Sequence, residues 1–304
     1  MTTPERPDVS CFLPALHGGG AERVVLDLAS AWASAGRTVE IVVASRSGEL
    51  RAATPPGVPV IDLGRRRTVS ALLPLARYLR RRRPRALLST LEHANVTAVA
   101  AGLLAGGTRV VLREANTVSR DLAPAGVRSR ALLWLMRRAY RRAAAVIAVS
   151  EGVASDLERH LGVPRARVTV IANPVLTERV WSGPATLPDH PWFAPGEPPV
   201  VLGVGRLAPQ KGFDTLLRAF AEARRRTACR LLILGEGELR DALLAEASAL
   251  GIVEHVALPG FADDPFPYMA HAGAFALTSR WEGLPNALIQ AVALGTPAVA
   301  TDCH

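Results

Sequence analysis

Of the 36 lysine and arginine residues in this chain, one is lysine, Lys211, and the other 35 are arginine. Lys211 lies in Gly203-Val204-Gly205-Arg206-Leu207-Ala208-Pro209-Gln210-Lys211-Gly212. An ammonium is a compact point charge on a flexible stem, whereas a guanidinium is a broad planar fork. A lysine kept where arginine serves everywhere else, beside Arg206 and among glycines, suits a small pocket for a diphosphate. The stretch is not a P-loop, because no Ser or Thr follows Gly-Lys and the glycine spacing is wrong. The competing reading is an ordinary lysine on a solvated turn.

Two other stretches have the same punctuation. His17-Gly18-Gly19-Gly20-Ala21-Glu22 follows an apolar run and opens a helical pattern. Gly19 and Gly20 there let backbone approach a ligand, and a helix start attracts anions. It is not G-x-G-x-x-G, so a dinucleotide cofactor is weakly supported. Ser279-Arg280-Trp281-Glu282-Gly283-Leu284-Pro285-Asn286 follows another apolar run. Pro285 marks a helix start, whose free amides could hold phosphate oxygens. Glu282 falls in the loop, and Gln290 lies about two helical turns further on.

The elements that must position these residues alternate along the whole chain. Strands are expected over 9–13, 39–44, 86–89, 110–112, 145–149 and 168–171. Helices are expected over 21–35, 69–82, 94–104, 129–142 and 152–160. Residues 173–199 hold seven prolines and no apolar period, which reads as a connection. A second series follows, with strands over 200–204, 231–234, 255–258, 274–277 and 298–300 and helices over 213–226, 239–250, 267–272 and 286–294. Continuous apolar strands between amphipathic helices imply parallel sheets covered on both faces. The expected class is α/β: two doubly wound Rossmann-like domains facing a cleft, with ligands at the carboxyl ends of the strands. The boundaries are 1–175 for the first domain, 176–199 for a linker and 200–304 for the second. The second series stops after a strand, so that domain is expected to be incomplete.

Composition narrows the classes. With 49% hydrophobic residues the chain is globular. Cys11, Cys229 and Cys303 show no metal spacing and fit a reducing compartment. The N-terminal residues contain no apolar h-region, so no signal peptide is expected. The most apolar stretch, 86–112, carries Glu92, His93 and Arg109 and does not read as a membrane span. Residues 1–185 hold 27 arginines against 14 acids, a net of +13; residues 186–304 hold 9 basic residues against 13 acids, a net of −4. The basic half either meets an anionic partner or coats ordinary helices with arginine. The helix over 69–82 has an apolar stripe ending in Arg80-Arg81-Arg82-Arg83, a pattern that fits an anionic bilayer and fits a plain domain helix equally well. Nucleic acid is disfavoured, because 5% aromatic content supplies few stacking platforms.

Taken in order, Gly-Gly-Ala-Glu, Gly-x-Gly-Arg-Leu-x-x-x-Lys-Gly, Leu-Gly-x-Gly at 234–237 and Glu-Gly-Leu-Pro-Asn-Ala-Leu-Ile-Gln-Ala at 282–291 resemble the family-four retaining glycosyltransferases of GT-B fold. The resemblance covers the whole chain. It implies that Arg206 and Lys211 neutralise a donor diphosphate and that Glu282 bonds sugar hydroxyls. It implies that amides near Leu284, Asn286 and Ala287 cradle phosphate, that Gly283 is donor-binding, and that Gly19 and Gly20 close over the donor. Gly205, Gly235, Glu236 and Gly260 would line the nucleotide pocket. No cofactor or metal is implied, since the donor is a substrate and the two cations do the electrostatic work. The family's second acid is replaced here by Gln290, which can accept a ribose hydroxyl bond without charge assistance. The family's His after the strand over 110–112 is replaced by Arg113-Glu114-Ala115-Asn116, so His93, Glu114 and Asn116 are the acceptor-side candidates. The chain also stops where family members continue.

The expectation is therefore a cytoplasmic retaining hexosyltransferase, peripheral at the inner membrane face. Its partners would be a nucleotide-sugar donor, a sugar or lipid-linked acceptor and an anionic membrane, with no nucleic acid. A GT-B nucleotide-sugar epimerase and a non-catalytic remnant are the rival readings.

Overall fold

A computed structural model describes residues 6–17, 19–121, 126–182 and 186–303. The chain divides into two units, Met1–Pro174 and Val175–His304. Each is described by itself.

The first unit alternates strand and helix. Its elements are β1 (Val9–Leu13), α1 (Gly20–Ser34), β2 (Val39–Val43), β3 (Val60–Asp62), α2 (Leu72–Arg82), β4 (Ala86–Thr90) and α3 (Glu92–Leu104). They continue with β5 (Val110–Glu114), α4 (Val118–Asp121), α5 (Val127–Tyr140), β6 (Ala145–Ala148), α6 (Glu151–Asp156) and β7 (Val168–Val170). All pairs are parallel, in the order β3-β2-β1-β4-β5-β6-β7. The strand order reverses between β1 and β4, which places a crevice at their carboxyl ends.

Sequence periodicity missed β3, three residues long and immediately preceded by Pro59, which gives almost no alternation to count. The stripe expected on α2 is mostly interior: Leu75, Ala76, Tyr78 and Leu79 are buried, while Leu73 is 66% exposed. Packing within the unit accounts for most of that stripe.

The second unit holds α7 (Glu178–Ser182), β8 (Val200–Val204), α8 (Phe213–Arg224), β9 (Arg230–Leu234), α9 (Arg240–Ala249), β10 (Val256–Gly260), α10 (Phe266–His271), β11 (Ala274–Leu277), α11 (Asn286–Ala293) and β12 (Ala298–Ala300). Its five parallel strands run β10-β9-β8-β11-β12, with the reversal between β8 and β11. Side chains of a strand alternate between faces, and β9 is apolar on both. Leu231 and Ile233 enter one core with Phe213, Leu217 and Phe220; Leu232 and Leu234 enter another with Phe266, Met269 and Phe275. The proline-rich segment packs on this second core. Val180 is fully buried in it, and Trp192 and Phe193 lie against it. The Arg230 guanidinium sits 5.1 Å over the Trp192 ring.

Candidate functional site

The loops after β8 and β11 meet because β8 and β11 are hydrogen-bonded neighbours at the reversal of strand order. Gly205 leaves β8 with φ 157°. A Cβ there would stand 3.0 Å from the Lys211 side chain, so a bare backbone makes room for the lysine stem. Gly235, at the end of β9, is tighter: a Cβ would lie 2.0 Å from the Gly205 carbonyl oxygen. Its amide donates to Gly260 O at 2.8 Å, and Leu207 N donates to Glu236 O at 2.9 Å. The ends of β8, β9 and β10 are thus laced together by backbone.

Lys211 closes a short 3-10 turn, Pro209–Lys211. Its Nζ donates to Glu282 Oε1 at 2.5 Å, and the Ser279 hydroxyl donates to the same oxygen at 2.6 Å. The Lys211 side chain is 20% exposed and that of Glu282 is 9% exposed. The backbones of the two loops are joined as well. Thr278 Oγ1 donates to Lys211 O at 3.1 Å, and Gln210 Nε2 donates to Trp281 O at 3.0 Å. Arg206 is exposed, with no side-chain hydrogen bond or ion pair among the described residues. The site therefore pairs one committed cation with one uncommitted one.

At the start of α11, the amide of Asn286 donates to Leu284 O at 2.9 Å, and Ile289 N donates to Pro285 O at 3.1 Å. The amides of Ala287 and Leu288 have no backbone acceptor among the described residues, as expected in a helix's first turn. Gly283 is buried in the loop. Gln290 is not idle: its Nε2 donates to Val175 O at 3.1 Å. Glu236 is exposed and faces Arg240 at 3.5 Å.

In the first unit, Gly19 caps α1 without a side chain, and Glu22 lies directly beneath it. A Cβ on Gly19 would stand 2.2 Å from Glu22 Oε2. His93 is exposed in the first turn of α3. The residue before that helix, Leu91, has φ 76°, the left-handed region rarely used by non-glycine residues. Asn116 is half-buried.

Glu114 ends β5 with its side chain turned inward: the residue is 1% exposed and accepts the Tyr140 hydroxyl. Asn95 donates to that hydroxyl at 2.9 Å. Burial first, and then the Glu114 charge, push the Tyr140 phenol well above its ordinary pKa. Its neighbour Arg113 turns to Thr90 Oγ1 at 3.1 Å and Asn173 Oδ1 at 2.5 Å. Burial lowers its guanidinium to about 10, against the charges of Glu114 and Glu22. The strand runs two residues further than the apolar pattern showed, and this carries Glu114 into the interior.

Sequence reading picked out Lys211, Arg206 and Glu282. It missed Ser279 and Gln210, small or neutral residues whose importance comes from where the loops cross.

A family model described as Glycosyltransferase Family 4 matches residues 18–179, more than half of the chain. The chain belongs to this family. A second model, Glycosyl transferases group 1, matches residues 198–304. A Campylobacter jejuni protein named N-acetylgalactosamine-N,N'-diacetylbacillosaminyl-diphospho-undecaprenol 4-alpha-N-acetylgalactosaminyltransferase is 32% identical over 212 residues, covering 70% of this chain and 56% of its own. The alpha-D-kanosaminyltransferase of Streptomyces kanamyceticus is 30% identical over 178 residues, covering 56% of this chain and 46% of its own. The chain thus spans about half the length of these two curated relatives.

Among solved structures, the lipopolysaccharide glycosyltransferase WaaG superposes with a TM-score of 0.78 at 18% identity, over 97% of this chain and 81% of that one. HepE of Anabaena, solved with UDP and glucose, gives 0.76 at 19%, over 98% and 81%. These likenesses establish the fold, which is the GT-B type of this glycosyltransferase family.

Proposed function

We propose that this chain transfers a hexosyl group from a nucleotide-diphosphate-sugar to a sugar or lipid-linked acceptor with retention of anomeric configuration. The observation that carries the reading is the Lys211–Glu282 pair at the β8/β11 reversal, with Arg206 uncommitted beside it. As the diphosphate leaves, its charge grows, and preorganised cations aimed at that charge are usually the largest single contribution to rate. Lys211 and Arg206 supply it without a metal. Glu282 bonds the sugar hydroxyls and orients the ring. The first-turn amides of α11 take further phosphate oxygens.

Support for the substrate classes comes from the relatives. The Campylobacter protein's name gives a diphospho-undecaprenol-linked acceptor, and HepE was solved with UDP-glucose. The test is a screen of nucleotide-diphosphate-sugars with a polyprenyl-diphosphate-sugar acceptor, in chelator, reading nucleotide release and the product's anomeric configuration. Transfer that needs added metal, or an inverted product, overturns the reading. Free nucleotide with an altered sugar and no acceptor product would instead mark an epimerase.

A membrane-apposed acceptor requires a surface that can meet a bilayer, and α5 offers one in the first unit. Val127 is 82% exposed, Trp134 52% and Leu135 43%. The Arg138 guanidinium stacks 4.5 Å over the Trp134 ring, and Arg137 is exposed beside it. Among the described residues no helix is long and apolar enough to cross a membrane. Exposed apolar residues interleaved with arginines suit shallow docking on an anionic leaflet, which supports the reading of a peripheral protein at the inner membrane face. This helix, not α2, is the better candidate. Sedimentation with anionic vesicles, reversed by salt and lost in Trp134→Ala, is the expected result; equal recovery with neutral vesicles rejects it.

A further inference from the structure

Lys211 and Glu282 sit on different loops, and one exposed side chain spans both without touching either charge. We infer that Arg280 is a positioning residue that locks the Lys211 loop to the Glu282 loop and so sets the reach between the two charges. This rests on the reading of that pair as the transfer site.

Arg280 stands two residues before Glu282. Its Nη2 donates to Asp214 Oδ1 at 2.8 Å and Oδ2 at 2.7 Å, and its Nη1 donates to Pro209 O at 2.5 Å. Its backbone amide donates to Gln210 O at 2.7 Å. Arg280 therefore grips residues 209, 210 and 214, on both sides of Lys211. The chain between those grips has no slack. Gly212, with φ 59°, passes so close to the start of the loop after β11 that a Cβ would lie 2.2 Å from Thr278 O. Asp214 opens α8 and is held from its own helix by Arg218 at 2.8 Å. The carboxylate thus has one tie within its helix and one across to the other loop.

The chemistry of the clamp selects arginine. A planar fork can meet a carboxylate with one nitrogen and a carbonyl with the other, which a single ammonium cannot do. The Arg280 side chain is 43% exposed. Exposed ion pairs contribute little to stability, so the loss of Arg280 should show in the site and barely in the unfolding midpoint.

The uniqueness of Lys211 gives a direct readout. In protein labelled with 15N-lysine, the one side-chain ammonium signal belongs to Lys211. We expect Arg280→Gln to move that signal and speed its exchange with water, because the ammonium loses its fixed partner. Arg218→Gln, which removes the tie within the helix, should leave it in place. In transfer assays Arg280→Gln should lower kcat by about ten- to a hundredfold with a smaller change in KM, the size expected for a misplaced group. Arg280→Lys should regain only part of this. An ammonium signal in Arg280→Gln that coincides with wild type overturns the inference, as does an equal shift in Arg218→Gln. If the signal moves in Arg280→Gln alone while the wild type transfers no sugar to any acceptor tried, the clamp stands and the transfer reading fails.

Discussion

Lys211 Nζ and the Ser279 hydroxyl converge on one oxygen of Glu282, at 2.5 Å and 2.6 Å. That oxygen carries two donors from two directions, which fixes the carboxylate's rotation as well as its position. An ammonium in this place holds the acid in register, and under the proposed function it would also supply charge to a departing diphosphate.

Lys211→Ala should therefore lower turnover by roughly two to three decades, the size of one electrostatic group in a transition state. Lys211→Arg should not restore it fully, because a broad planar guanidinium does not reproduce the compact point charge of an ammonium. Single-turnover rates at saturating donor check this; an alanine variant as fast as wild type ends the assignment.

Gln290→Glu tests a second contact. Gln290 donates to Val175 O, and a carboxylate cannot. The variant should lose about 1 kcal/mol of stability near neutral pH by urea denaturation. Facing a carbonyl disfavours the charged form, so the introduced carboxyl has a raised folded pKa. Its deficit should be absent below the unfolded value near 4.3 and grow as pH rises through the folded one. A deficit independent of pH would show that the amide's proton is not what matters. Donor binding is a separate reading: a variant that binds donor more weakly than wild type argues against Gln290 as a ribose contact.

Tyr140→Phe should destabilise the first unit by about 1–3 kcal/mol. It removes the hydroxyl that Asn95 donates to and Glu114 accepts from, in a place where all three residues are buried. Denaturant titration followed by circular dichroism measures it. A neutral substitution would mean that the Glu114 carboxylate is satisfied without the phenol.

Asp214 gives a pH signature. Burial alone would raise its carboxyl, but hydrogen bonds from Arg280 and Arg218 outweigh that and hold it below the ordinary range. A depressed folded value means stability that is present above the unfolded pKa near 3.9 and lost as pH falls through the folded one. Wild type should thus be slightly more stable than Asp214→Asn at neutral pH, by the small amount an exposed pair contributes, with the gap closing under acid. A gap that is constant from neutral to acid pH would refute it.

Much of this architecture was legible because it is local. The strands at 200–204, 274–277 and 298–300 were bounded correctly by apolar runs between glycines and prolines. Lys211 was conspicuous by composition, and Glu282 by the loop in which it falls. What could not be read is non-local. The partner of Gln290 lies 115 residues away, and the partner of Arg82, Glu40, lies 42 away. Glu114 was an acceptor-side candidate because the apolar run ended the expected strand at residue 112; here the strand continues to Glu114, and Tyr140 donates its hydroxyl to the buried carboxylate. The connection expected over 176–199 lacks any period, yet Val180, Trp192 and Phe193 fasten it to a core.

The turn that presents Lys211 has one more consequence. A protease that cuts only after lysine has a single site in this chain, the Lys211–Gly212 bond. The Lys211 carbonyl is held by the Thr278 hydroxyl, and Gly212 is pressed against the Thr278 carbonyl. Cleavage must then wait for the loop to lift, and would yield residues 1–211 and 212–304 and nothing else. When lifting is fast relative to cutting, the cutting rate measures the free energy of that one opening. The chain thus carries its own gauge of how firmly the site is shut.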